Sequence, residues 1–143
     1  MDNDSKSKLT TEQQKSDTLG GEQNLENKKK SIQDDIKLLI KGLNDENGLV
    51  RRSHAEALAQ VGKAALPELI NALLNSKNVI QRRAAAKTLK LVGDPAALPH
   101  LIKALTNDSD PVVQCSAAGA IAIFGESAVK HLIIILELSL IHI

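Results

Sequence analysis

Two arginine pairs, Arg51-Arg52 and Arg82-Arg83, stand 31 residues apart, and Lys87 and Lys90 follow Arg83 at about one and two helical turns. A guanidinium presents a rigid fork of donors that grips a carboxylate or phosphate through two parallel bonds. Stacked in register, such pairs make a cationic ladder suited to an acidic protein surface. Part of this charge has a structural use, because an arginine beside a turn can pair with an aspartate of the adjacent turn. Asp45 and Asp108 stand in suitable places for that. The candidate partner-binding set is therefore Arg51, Arg52, Arg82, Arg83, Lys87 and Lys90, with one arginine of each pair expected to serve the fold. At the third occurrence Gln114-Cys115 replaces the pair, so the ladder stops there.

Other chemistry is sparse. The histidines are His54, His100, His131 and His142. His100 and His131 occupy equivalent places before a Leu-Ile pair, and lone imidazoles of this kind usually sit on partly exposed helix surfaces. His54 and Glu56 are two residues apart and point to different sides of a helix. No metal-ligand spacing is visible, so no metal and no cofactor are expected. Cys115, the single cysteine, begins a helix among small residues without a histidine or acid at readable spacing, and reads as a small buried apolar residue. No Gly-rich phosphate loop, Ser-His-Asp order or paired catalytic carboxylates occur, so no catalytic residue is assigned.

The elements that carry the ladder recur. Leu39-Ile40-Lys41-Gly42-Leu43, Leu69-Ile70-Asn71-Ala72-Leu73 and Leu101-Ile102-Lys103-Ala104-Leu105 align, and a fourth copy begins at Leu132-Ile133. Between them lies a second helix ending at Gly62, Gly93 and Gly125, spaced by 31 and then 32 residues. Its core columns are Ala55/Ala86/Ala118, Leu58/Leu89/Ile121 and Val61/Val92/Phe124, all on one helical face. The glycines suit left-handed caps, and Pro67, Pro95, Pro99 and Pro111 fall where helices begin. Asn78 and Asp110 are the expected N-caps. The spacing predicts helices over 32–43, 49–61, 65–75, 79–91, 96–106, 111–124 and 127–137. The fold class is all-α: a right-handed α-solenoid of three helical hairpins plus the first helix of a fourth, over residues 31–137.

Composition agrees with that class. Of 143 residues, 1% are aromatic, so the core must be built from Leu, Ile, Val and Ala, which suits close helix packing better than sheets. The formal charge of +1 offers no bulk attraction to nucleic acid or an anionic membrane. No apolar run reaches the roughly 20 residues needed to span a bilayer, and a single cysteine fits a reducing, cytoplasmic compartment. Residues 1–30 hold six acids, six lysines and only four apolar side chains. Too little surface can be buried there to offset the entropy of ordering, so a flexible polar arm is expected.

The unit LIKALTNDSDPVVQCSAAGAIAIFG, with its earlier copies LIKGLNDENGLVRRSHAEALAQVG and LINALLNSKNVIQRRAAAKTLKLVG, resembles the short HEAT repeats of the phycobilisome-lyase type. The resemblance implies a protein-interaction scaffold working on phycobiliproteins, in chromophore attachment or phycobilisome turnover, often beside a second lyase-type HEAT subunit. It implies as an alternative a bilin lyase or isomerase subunit attaching a linear tetrapyrrole to phycobiliprotein cysteines, with Arg52 and Arg83 receiving propionates. A third relative, the iron-binding deoxyhypusine hydroxylase type, uses His-Glu dipeptides that this sequence lacks. Residues 138–143, LSLIHI, break the repeat and read like a translated sequencing adapter, so a truncated reading frame with a non-native tail is expected.

Overall fold

The computed structural model describes the backbone of residues 4–141 and the side-chain surroundings of residues 20–139; His142 and Ile143 of the expected tail lie outside the described residues. Helix α1 spans Asp4–Gly42, α2 Gly48–Val61, α3 Leu66–Asn75, α4 Val79–Val92, α5 Leu98–Asn107, α6 Pro111–Ala122 and α7 Glu126–Ile141. Short 3-10 turns at Gly62–Ala65 and Pro95–Ala97 lead into α3 and α5. The chain divides into two units, Met1–Asp35 and Ile36–Ile143. In the first, every residue from 20 to 35 is exposed. The helix there begins far upstream of the periodic pattern, and no tertiary burial between residues 20 and 35 supports it.

The second unit is built from hairpins. The end of α1 with α2 forms hairpin one, α3 with α4 hairpin two, and α5 with α6 hairpin three. The second helices α2, α4 and α6 pack side by side, as do the first helices α3, α5 and α7, which makes two layers. Leu58, Leu69, Leu73, Leu89, Leu98 and Leu101 are wholly buried between them, each contributing about 2 kcal/mol by removal from water. Small residues set the spacing of the layers: Ala85, Ala86, Ala97, Ala117 and Ala120 have no exposed surface.

Helices α2 and α4 end at glycines with positive φ, 72° at Gly62 and 66° at Gly93, and Gly125, three residues beyond the end of α6, has a φ of 53°, a backbone region that a Cβ disfavours. Two expected core positions come out differently. Ala118 is exposed, because among the described residues no further second helix lies beside α6. Val61, at the C-terminal edge of α2, remains 37% exposed. Helix α7 runs through Leu138 without a turn, and Ile134 and Leu136 stand 55% and 62% exposed.

The first-helix register shows one volume exchange. A Cβ on Gly42 would meet the His54 ring, whose Nδ1 donates to the Val50 carbonyl at 2.8 Å. In the second and third copies the same columns hold Ala72 with Ala85 and Ala104 with Ala117. Hairpin one thus accommodates a large ring by removing a methyl opposite it, as close packing requires.

Candidate functional site

The turn before each second helix is built from a repeated pair of polar residues. Asn47 Oδ1 accepts from the Leu49 amide at 2.9 Å; Asn78 Oδ1 from Ile80 and Gln81 at 2.8 and 3.3 Å; Asp110 Oδ1 from Val112 and Val113 at 2.8 and 3.1 Å. These N-caps satisfy amides that the helix leaves unpaired. Two residues earlier, Asp45 Oδ1, Ser76 Oγ and Asp108 Oδ1 accept from the cap residue's own amide at 2.8, 3.2 and 2.9 Å. Asn78 and Asp110 are the caps expected from sequence; Asn47 lies in the same column and completes the series.

The arginines plug into these turns. Arg51 Nη1 donates to the Asp45 carbonyl at 2.6 Å, and Arg82 Nη1 donates to the Ser76 carbonyl at 3.0 Å, the same bond one repeat later. Arg82 then adds a bond to the next repeat: Nε and Nη2 meet the Asp108 carboxylate at 3.0 and 3.4 Å, with side chains 15% and 8% exposed. Arg51 has no such acid ahead of it, because the equivalent position is Ser76. It bonds backward to the Glu46 carbonyl at 3.0 Å instead. Asp45 therefore serves Arg51 through its backbone oxygen, and Asp108 serves Arg82 through its carboxylate.

The second arginine of each pair repeats the contrast. Arg83 Nη2 donates to both oxygens of Asp110, at 3.3 and 3.2 Å. The residue ahead of Arg52 in that register is Asn78, and among the described residues Arg52 forms only an exposed i,i+4 pair with Glu56 at 3.0 Å. Burial works against the charge on Asp110, but the amides of Val113 and Val112 and the Arg83 guanidinium outweigh it and hold the carboxyl below its ordinary value. Sequence reasoning missed the Arg83–Asp110 bridge; the coincidence of an N-cap acid with the arginine column was the available signal.

A groove of about 750 Å³ runs over α2, α4 and the start of α6. Arg51, Arg52, Arg83, Lys87 and Lys90 line it, whereas Arg82 is turned away into Asp108. Its apolar lining is Ala55, Ile80, Ala84, Leu91 and Val112, with Glu46 at one side. Among the described residues Lys87 and Lys90 have no carboxylate within ion-pair distance, and no three His, Cys, Asp or Glu side chains are placed to hold a metal. Cys115 is exposed, contrary to its reading as a small buried residue, because its column is the outward one that Arg52 and Arg83 occupy on α2 and α4. No described helix is long and apolar enough to cross a membrane.

Stacked helical hairpins with a shared two-layer core and a groove across successive second helices define an α-solenoid repeat protein. The chain belongs to the HEAT-repeat family: the family profile for HEAT repeats matches residues 36–122 and again 66–137. The chain is also similar to the bilin biosynthesis protein MpeU of Synechococcus sp. (strain WH8020), with 48% identity over 59 residues. That match covers 41% of this chain and 20% of the relative's length.

Proposed function

We propose that the chain is a protein-binding HEAT scaffold that works on phycobiliproteins in the cytosol, in chromophore attachment or in phycobilisome turnover, beside a second lyase-type HEAT subunit. The observation that carries this reading is the groove across α2, α4 and α6, with five cations and five apolar residues on adjacent helices. Repeat solenoids use such continuous surfaces to hold extended partners. The similarity to a bilin biosynthesis protein supports the pigment setting. The test is retention of phycobiliprotein from a phycobilisome-containing lysate on the immobilised chain, read by visible absorbance. Coloured protein on the matrix supports the reading, and a colourless matrix with correctly folded bait contradicts it.

A second reading is a bilin lyase or isomerase subunit whose groove receives the tetrapyrrole itself. The cationic lining favours it, since two propionates need two such partners and Arg52 and Arg83 line one groove, Arg83 receiving one only by exchanging its bond to Asp110. Addition of a cysteine thiol to the pigment also needs a proton donor, and Glu46 is the acid among the lining residues. A red shift or intensity change of free bilin on mixing with the chain alone distinguishes this reading from a pure scaffold.

A further inference from the structure

The groove couples charge with apolar surface that the fold leaves open. Leu91 is 55% exposed and Val112 47% exposed on its walls, although each could have been polar without loss to the core. We infer that this groove is the docking site for an acidic amphipathic helix of a protein partner, an inference that rests on the scaffold reading above and specifies its partner. Charge complementarity sets the acidic character. Among the described residues Arg51 bonds only backbone carbonyls, Lys87 and Lys90 have no carboxylate partner, and Arg52 holds only the exposed Glu56.

The helical form follows from the walls. All three walls are α-helices, whose backbone groups are already bonded internally, so the groove has no strand edge to offer. An extended peptide laid there would place its own amides against apolar side chains without partners, whereas a helix satisfies them itself. Ile80, Ala84 and Leu91, spaced by four and seven along α4, form a strip of helical period. A partner helix with apolar residues at i, i+4 and i+11 matches it, and glutamates flanking that stripe reach the guanidinium and ammonium groups. A small inorganic anion would use the cations and leave the apolar strip exposed.

The full chain carries one cysteine, Cys115, exposed and one turn beyond Val112, so a fluorophore there reports occupancy. The probes are three synthetic 18-residue peptides: one with leucines at i, i+4, i+7 and i+11 flanked by glutamates, a scramble of identical composition, and a copy with lysine for glutamate. The first should bind at least ten-fold tighter than the other two and gain helical circular dichroism on binding. Arg52→Glu with Lys87→Glu, both on exposed side chains, should weaken it at least ten-fold, and Leu91→Ser should weaken it several-fold with charge unchanged. Equal affinity for the scramble, a bound peptide without helix, or indifference to Leu91→Ser overturns the inference. Retention of phycobiliprotein by the Arg52→Glu, Lys87→Glu chain would overturn the groove as the docking site while sparing the scaffold reading. Peptide binding as described, with no phycobiliprotein retained by the parent chain, would do the reverse.

Discussion

The joint between hairpins one and two and the joint between hairpins two and three use the same arginine columns with different partners. At the second joint Arg82 and Arg83 reach forward to Asp108 and Asp110, and both charges are consumed in holding one repeat to the next. At the first, the forward positions are Ser76 and Asn78, so Arg51 folds back on its own turn and Arg52 stays at the surface. The arginine column alone therefore does not decide whether a guanidinium is structural or available; the residue in the next repeat's turn does. One joint is a clamp, and the other presents charge to the groove.

Removing the clamp tests this contrast most strongly. Asp108→Ser with Asp110→Asn gives the second joint the chemistry of the first, leaving Arg82 mostly buried without its carboxylate. Urea unfolding should show a loss of about 3 kcal/mol, the scale for stranding one member of a buried pair. The variant should also bind the acidic peptide more tightly, since Arg83 is released toward the groove. A volume test of hairpin one comes next. Gly42→Ala drives a methyl into the His54 ring and should cost about 2 kcal/mol. Adding His54→Ala restores the pairing that Ala72 and Ala85 show one repeat later, and should recover most of that loss.

The caps carry smaller effects. Asn47→Ala and Asn78→Ala should each cost about 1 kcal/mol in thermal unfolding, with Asn78→Ala the larger because its oxygen accepts from two amides. The smallest effect is on acid sensitivity. The folded Asp110 carboxyl titrates below its ordinary 3.8, so its contribution is intact above that value and is lost as pH falls from there through the lowered native value. Asp110→Asn keeps a cap oxygen and should flatten the stability profile in that range, measured by unfolding between pH 5 and pH 2.

Much of this was legible in sequence. The recurring Leu-Ile pairs and the glycines place every helix after Ser31 to within a few residues, because an amphipathic period and a left-handed cap are local signals. The arginine register was equally readable. What a single repeat cannot reveal is what lies one repeat ahead: that Arg83 meets the cap acid Asp110, and that among the described residues no further second helix covers Ala118. These depend on contacts between units. The start of α1 at Asp4 was missed for a related reason, since residues 20–35 show no apolar stripe and bury nothing.

The most direct measurement transplants the clamp forward. Ser76→Asp with Asn78→Asp places carboxylates before Arg51 and Arg52 in the columns that Asp108 and Asp110 occupy before Arg82 and Arg83, and affinity for the acidic amphipathic peptide is measured beside the melting temperature. Availability of the first joint's arginines predicts a several-fold loss of affinity with an equal or higher melting temperature. Unchanged affinity would contradict it, because Arg51 and Arg52 would then contribute nothing to the groove that a structural partner can remove.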